Sequence, residues 1–116
     1  MQDDAVRASC LFCKIADGQI PATIIYSDDQ VVAFRDINPQ APTHVLVIPR
    51  RHYANAAGAA GVWEVLMGAA VAVAAQEGLG APGYRLVINS GPDAGQSVDH
   101  LHVHVLGGRA LAWPPG

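Results

Sequence analysis

Short runs of apolar and β-branched residues recur along the chain, separated by loop-forming residues. Such runs are typical of strands, and we predict five of them: residues 22–27, 30–35, 44–48, 84–89 and 98–106. Asp28 and Asp29 separate the first two runs, which indicates a hairpin. Residues 36–42 hold two prolines and one asparagine and are therefore predicted to be a loop.

A longer apolar pattern between residues 62 and 77 has the period of a helix. One face of this helix is predicted to be buried, because apolar residues recur at i, i+4, i+7 and i+11: Val62, Leu66, Ala69 and Val73. Gly78 would end it. A shorter helix is predicted over residues 10–17, with Ser9 as its N-cap and Gly18 as its stop. These elements predict an α+β domain with a five-stranded antiparallel sheet and two helices.

Length and composition narrow the class of protein. A chain of 116 residues that is 51% hydrophobic and 15% charged fits one packed domain and not a disordered segment. We expect a flexible N-terminus over residues 1–9 and a single domain over residues 10–116. A domain this small buries only about two-thirds of its unfolded surface, so a partner copy would stabilise it. The net charge of −3, with no basic cluster beyond Arg50 and Arg51, argues against binding to nucleic acid.

The N-terminal residues are polar, and the longest apolar stretch, residues 65–75, is too short to span a bilayer. We therefore expect a cytoplasmic protein without membrane contact. Both cysteines lie in the motif Cys10-Leu-Phe-Cys13. In a reducing compartment this spacing indicates metal or redox chemistry rather than a structural disulfide. A thioredoxin-like role is disfavoured because no βαβ pattern surrounds the motif; simple packing of two helical cysteines is the other alternative.

Three of the five histidines fall on the last predicted strand, at His100, His102 and His104. Side chains alternate along a strand, so these three share one face while Leu101 and Val103 face the core. A solvated polar strand face is the simpler interpretation, but such a face would not require three histidines in register. Three-fold chelation of one zinc ion is excluded, because residues i and i+4 on a strand lie about 13 Å apart. Nucleophilic attack by one imidazole, supported by its neighbours, remains.

The string His100-Leu-His102-Val-His104-Val-Leu106 resembles the signature of the histidine-triad (HIT) superfamily. The resemblance extends over residues 10–116. Further matches are Phe34-Arg-Asp36-Ile-Asn-Pro39-Gln-Ala-Pro-Thr-His44, Leu46-Val-Ile-Pro49 and Gly95-Gln-Ser-Val98. The ending Leu106-Gly-Gly-Arg109 with Trp113-Pro-Pro-Gly116 is similar to the Hint branch, the nucleoside phosphoramidases.

This resemblance implies a hydrolase that cleaves the P–N bond of purine nucleoside 5′-phosphoramidates through a covalent nucleotidyl-histidine. It also implies a homodimer whose two five-stranded sheets join into one ten-stranded sheet, with a purine nucleotide as ligand. Two alternatives stay open. One is a dinucleoside polyphosphate hydrolase of the fragile-histidine type, and the other is a nucleotide-binding interaction module.

The resemblance also assigns the catalytic roles. The middle triad histidine, His102, corresponds to the nucleophile, and His104 to the contact of the α-phosphate or bridging atom. His44 corresponds to the histidine beside the leaving group, although a polar residue at a strand edge is its alternative. Ser97 corresponds to a phosphate and leaving-group contact. Trp113 is expected to reach the leaving-group side of the partner protomer's cleft.

The remaining ligand contacts follow in the same way. Asp36 can accept hydrogen bonds from both ribose hydroxyls, although it can also simply start a turn. Gly95 lets the backbone approach an anion closely, with Gln96 and Ser97 as donors and Asn89 across the cleft. An apolar slot for the base is assigned to four residues: Leu11, Phe12, Phe34 and Ile37.

A structural zinc site is implied by the resemblance to bacterial HIT proteins with an early Cys-x-x-Cys pair. The corresponding ligands are Cys10, Cys13, His52 and His100. Two thiolates and two imidazoles make a closed tetrahedral set, which suits structural rather than catalytic zinc. No metal is expected to take part in the chemistry.

Overall fold

The computed structural model describes residues 4–116, and over that range the chain forms three α-helices and five strands. The helices are α1 (Asp4–Ser9), α2 (Leu11–Ala16) and α3 (Trp63–Gln76). The strands are β1 (Ile24–Ser27), β2 (Val31–Arg35), β3 (Thr43–Pro49), β4 (Tyr84–Val87) and β5 (Val103–Gly107). Two 3₁₀ turns, Ala56–Gly58 and Pro92–Ala94, lie in the connections.

The five strands form one sheet in the order β1-β2-β3-β5-β4, and every neighbouring pair is antiparallel. The predicted α+β architecture is therefore confirmed. β3 and β5 are central, and their register places His44 opposite Leu106 and Leu46 opposite His104. The central pair thus brings His44 on β3 and His104 on β5 to the same face of the sheet.

The two faces of the sheet carry different cores. α3 covers one face, and the four residues of its predicted stripe are all buried: Val62, Leu66, Ala69 and Val73. Leu101, Val103 and Val105 pack in the same core, as the alternation predicted. α2 covers the opposite face, where Phe12 and Ile15 pack against Phe34 and Leu46. The triad histidines lie on this α2 face.

Several predicted element boundaries differ from the structure by one or two residues, as at the start of β1 and the end of β4. Two other differences have a clear physical reason. The last strand begins at Val103 rather than at residue 98, since the Leu101 amide donates to the Tyr53 carbonyl outside the β5 ladder. The N-cap of α2 is Cys10 rather than Ser9, because the Cys10 sulfur accepts a hydrogen bond from the Cys13 amide. Ser9 instead ends α1, where its hydroxyl donates to backbone carbonyls of that helix.

Part of the predicted flexible N-terminus is helical. Residues 1–3 lie outside the described part of the chain, but Asp4–Ser9 forms α1. No α1 side chain is buried, and the helix is tied to the domain by Arg7. This guanidinium donates to the Arg50 carbonyl at 2.9 Å and to the Asp17 carboxylate at 3.0 Å. Within residues 4–116 no helix is long and apolar enough to cross a membrane.

Gly108 allows the chain to turn sharply after β5. Gly108 has φ of +89°, a conformation that L side chains rarely adopt, and a Cβ there would lie 2.9 Å from the Pro42 Cβ. The chain can therefore turn closely past the start of β3. This turn brings Arg109 to the Gln40 carbonyl, to which it donates a hydrogen bond of 2.9 Å.

We expect Leu66→Ala to lower the free energy of unfolding by about 2–5 kcal/mol, because it opens a cavity under a fully buried side chain. Glu64→Ala on the same helix is the matched control, since that side chain is exposed, and its effect should stay within about 0.5 kcal/mol. Urea unfolding followed by circular dichroism measures both. Equal losses for the two variants would contradict a core centred on the Leu66 face.

Candidate active site and metal cluster

A cleft of about 370 Å³ opens on the α2 face of the sheet. Its walls include the four residues predicted to hold a base: Leu11, Phe12, Phe34 and Ile37. Its polar side is formed by Asp36, Ser97, His102 and His104. The cleft is therefore an apolar slot with polar groups at one side, the usual form of a small-molecule site.

The hydrogen bond of His102 determines which of its nitrogens carries the proton. Its Nδ1 lies 2.7 Å from the backbone carbonyl of His100. A carbonyl only accepts, so Nδ1 donates and the neutral ring keeps an unprotonated Nε2. Phe12 packs its ring perpendicular to the imidazole at a centroid distance of 5.1 Å. The ring is thus held in one tautomer and one orientation, as a nucleophilic imidazole requires.

A chain of hydrogen bonds sets the tautomers of His44 and His104. The Gln40 amide donates to His44 Nδ1 at 3.0 Å, so neutral His44 carries its proton on Nε2. That nitrogen lies 2.8 Å from His104 Nδ1, to which it donates. The proton of neutral His104 is therefore on Nε2, a buried atom without a hydrogen-bond partner in the described chain. Since His104 lines the cleft, this N–H is an unused donor that a ligand in the cleft could accept from.

The electrostatics of the pair favour neutral rings. Burial, reinforced by the neighbouring His102 and His44, lowers the pKa of His104 to about 4. Burial also lowers the pKa of His44, and the nearby Asp36 carboxylate opposes that shift only in part. Both rings are therefore neutral near pH 7, and the tautomer assignment holds there.

Asp36 makes the contact of a turn and also lines the cleft, while its predicted contact with ribose stays a prediction. One of its carboxylate oxygens accepts from the Asn38 amide at 2.8 Å, which is the contact of a turn. The other oxygen lies 3.4 Å from His44 Nε2. The residue also lines the cleft. The turn therefore fixes the carboxylate at the edge of the site.

Ser97 lines the cleft, but the structure does not place its predicted neighbours there. The Gln96 side chain accepts from the Gly91 amide and donates to the Ala54 and Val98 carbonyls, so it ties the loop together. Gly95, with φ of +83°, ends the 3₁₀ turn. These two residues and Asn89 are absent from the cleft walls among residues 4–116, and their ligand contacts stay predictions.

Trp113 is 80% exposed and lies over Arg85 of its own chain, with the guanidinium carbon 5.9 Å from the ring centroid. Its predicted position in a partner's cleft stays a prediction.

The structure brings the four predicted metal ligands together: Cys10, Cys13, His52 and His100. Their donor atoms all lie within 4.8 Å of one another. His100 Nδ1 is 3.3 Å from the Cys10 sulfur and 3.5 Å from the Cys13 sulfur. The Cys13 sulfur is also 3.5 Å from His52 Nδ1. Four donors from three separate segments thus surround one point, a geometry that packing alone does not require.

The chemistry of these donors fits zinc. His100 Nε2 donates to the Pro49 carbonyl at 2.8 Å, so the lone pair on Nδ1 points toward the thiols. Burial raises the pKa of the Cys13 thiol to about 12, so a bound cation is needed to hold it as a thiolate. Two sulfur and two nitrogen ligands form a closed tetrahedral set. The predicted structural zinc site is confirmed.

A protein-family model, the HIT domain, matches residues 17–111. This chain belongs to the HIT domain family. The match contains the cleft residues from Ile20 onward and all three triad histidines, so the family assignment covers the greater part of the site described above.

Three relatives place this HIT domain among known proteins. It is 51% identical over 113 residues to the 14 kDa zinc-binding protein of Zea mays, covering 91% of this chain and 87% of that one. A HIT family hydrolase from Legionella pneumophila superposes with a TM-score of 0.90 at 48% identity, covering 93% and 100% of the two chains. The histidine triad nucleotide-binding protein of Candida albicans has a TM-score of 0.79 at 31% identity, covering 91% and 83%.

Sequence reasoning missed several residues of this HIT domain's cleft. Ile15, Ile20, Leu46 and Val98 also line it. Ile15 follows Leu11 at i+4 on α2, so helical periodicity could have found it. The two carbonyls that fix His100 and His102 belong to the backbone and carry no residue-type signal.

We expect the native protein, purified without chelator, to hold about one zinc ion per chain, and Cys10→Ser with Cys13→Ser to hold almost none. Because metal binding is coupled to folding, the double variant should also melt at a lower temperature. Ser9→Ala, next to the motif, is the control and should retain the metal. Inductively coupled plasma mass spectrometry gives the metal content. A metal-free native protein with the same melting temperature as the double variant would show that the cysteines are only packed.

Proposed function

We propose that this chain is a nucleoside phosphoramidase of the Hint type, which hydrolyses the P–N bond of purine nucleoside 5′-phosphoramidates. One observation carries the proposal. The same cleft is lined by a histidine with an unprotonated Nε2, His102, and by a histidine with an unused Nε2–H, His104. A nucleophile and a hydrogen-bond donor at one site are what nucleotidyl transfer to an imidazole requires.

The nucleoside occupies the apolar part of the cleft. Its base lies between Phe12, Phe34 and Ile37, and Asp36 accepts hydrogen bonds from the ribose hydroxyls. The α-phosphate then lies beside Ser97 and His104. The Candida albicans relative, named as a nucleotide-binding protein, supports a nucleotide as the ligand.

In the first step His102 Nε2 attacks the α-phosphorus, an N–P bond forms and the bond to the leaving nitrogen breaks. The His104 Nε2–H donates to the oxygen or nitrogen on which negative charge develops. In the second step water attacks phosphorus and releases the nucleoside 5′-monophosphate and free His102. The amine takes up one proton on leaving and the water gives one up, so the cycle consumes no net proton.

Zinc has a structural part in this proposal. When bound, it would join α2, the segment after β3 and His100 through the four ligands, as the zinc-binding relative supports. The reacting atoms belong to His102 and His104, whose ring nitrogens are not among those four ligands.

We expect His102→Ala to lower turnover of adenosine 5′-phosphoramidate by several orders of magnitude, because the covalent step is lost. Affinity for adenosine monophosphate and the circular dichroism spectrum should be unchanged. Mass spectrometry after rapid acid quench should find nucleotidyl-protein in the wild type only. Appreciable activity of the purified variant would refute the mechanism.

The same assay separates the alternatives. Faster hydrolysis of diadenosine polyphosphates than of phosphoramidates by the wild type would favour the fragile-histidine type of activity. Tight nucleotide binding with no turnover of either substrate would favour an interaction module.

We also propose a homodimer joined through the α3 side of the sheet edge. β4 is an edge strand, and the outer face of α3 presents small and apolar exposed residues: Gly68, Val71, Ala72 and Ala75. Small side chains let another backbone approach closely, and pairing of β4 with a second copy would extend the sheet. Trp113 is then available near that edge as the residue expected to act at the partner's cleft.

We expect Val71→Glu to shift the protein to a monomer in sedimentation velocity, because it places a charge in the buried interface. Ala60→Glu, at an exposed position outside α3, is the control and should remain dimeric. A wild-type monomer that is fully active at assay concentration would contradict the proposed pairing.

A further inference from the structure

The short helix α2 carries residues of both the nucleoside cleft and the metal cluster. Cys10 at its N-cap and Cys13 in its first turn are two of the four metal ligands. Leu11, Phe12 and Ile15 line the cleft. Ligands of one site and walls of the other are therefore interleaved within residues 10–15, and a shift of this helix changes both sites.

The position of α2 depends on its tertiary contacts. The helix has only six residues, too few to be stable on its own. Phe12 and Ile15 hold it by buried packing, and Arg50 donates a hydrogen bond of 2.8 Å to the Ala16 carbonyl. Thiols make only weak hydrogen bonds. Metal bonds from both cysteines would fasten α2 to the other two ligands much more firmly.

The ring of Phe12, between the two cysteines in the chain, contacts both sites. This side chain is 5% exposed and packs edge-on against three other rings. The centroid distances are 6.0 Å to His100, 5.1 Å to His102 and 5.4 Å to Phe34. His100 is a metal ligand, whereas His102 and Phe34 line the cleft. Because protein interiors are close-packed, a displacement at the cluster reaches the cleft through this ring.

His100 provides a second connection between the two sites. Its Nδ1 lies 3.3 Å from the Cys10 sulfur and 3.5 Å from the Cys13 sulfur. Its carbonyl accepts the hydrogen bond of 2.7 Å from His102 Nδ1. Phe12 therefore connects the cluster to the apolar slot, and His100 connects it to the polar side of the same cleft.

We propose that the metal cluster regulates nucleotide binding, with Phe12 as the positioning residue that transmits its state. Zinc in the cluster raises the affinity of the cleft for a nucleotide, because ligation preorganises the helix that forms one wall. A bound nucleotide raises the affinity for zinc by the same factor, since coupling between two sites is reciprocal. Such coupling usually amounts to about five- to 150-fold. This inference rests on the nucleotide ligand of the proposed function and adds its control by a metal.

Two equilibrium measurements on the wild type test the coupling. Isothermal titration calorimetry gives the Kd for adenosine monophosphate with zinc bound and after removal of the metal. Competition with a chromogenic chelator gives the Kd for zinc with and without saturating adenosine monophosphate. Each ligand should lower the Kd of the other by the same factor, within the range above.

The possible results are distinguishable. Equal affinities for adenosine monophosphate in the two metal states, with no effect of the nucleotide on zinc affinity, would overturn the coupling and leave the proposed function intact. Absence of nucleotide binding in both metal states would overturn the proposed function and the coupling with it.

Two matched variants separate a specific connection from general stabilisation of the fold. Phe12→Leu removes the ring that contacts His100 and His102, whereas Phe34→Leu changes the same slot from β2. Zinc affinity is measured at nucleotide concentrations that are the same multiple of each variant's Kd. Phe12→Leu should reduce the coupling factor severalfold, and Phe34→Leu should retain it.

This comparison decides the matter even for a metal-free protein that unfolds. General stabilisation depends only on the ratio of nucleotide concentration to Kd, so it would give both variants the same factor. Equal factors would therefore overturn the role assigned to Phe12. Circular dichroism of the zinc-loaded variants checks that both retain the fold.

Discussion

The position of His100 is the constraint on which the rest of the site depends. This side chain is completely buried, and each of its polar groups has a different partner. Its Nε2 donates to the Pro49 carbonyl at the end of β3, and its Nδ1 faces the two cysteine sulfurs. Its carbonyl accepts from His102. One residue therefore joins the sheet, the metal cluster and the proposed nucleophile His102, so that the three are held in fixed relative positions.

Backbone groups determine the tautomers of the imidazoles at the cleft. The His100 carbonyl fixes His102, and the Gln40 amide fixes His44 and through it His104. An acidic partner would raise the pKa of a buried histidine and favour the imidazolium, which cannot attack phosphorus. A carbonyl orients the ring with less electrostatic effect. Burial then keeps the His44 and His104 rings neutral.

Much of this arrangement could be predicted from the sequence, because it depends on side-chain periodicity. The alternation around His102 and the stripe containing Leu66 follow from the geometry of strands and helices, and the structure confirms both faces. The four metal ligands were found by resemblance, not by spacing. What the sequence could not predict depends on backbone contacts between distant segments. Three features are of this kind. β5 starts late because the Leu101 amide donates to the Tyr53 carbonyl, and Cys10 caps α2 because its sulfur accepts from the Cys13 amide. Gln96 ties its loop together by donating to the Ala54 carbonyl.

The apolar core and the buried histidines lie on opposite faces of the sheet, which explains why so small a domain can hold three buried histidines. The hydrophobic core under α3 contains apolar side chains, with tyrosines and a tryptophan at its edge, so this core packs without any of the histidines. The opposite face can therefore bury His44, His100 and His102, each with a defined hydrogen-bond partner.

The exception among the histidines of this face is the Nε2–H of His104, which has no hydrogen-bond partner in the described chain. A buried donor without an acceptor destabilises the free protein, and a ligand that accepts its hydrogen bond would remove that cost. The unsatisfied donor thus favours a liganded state, and it lies at the atom where the proposed reaction would develop charge.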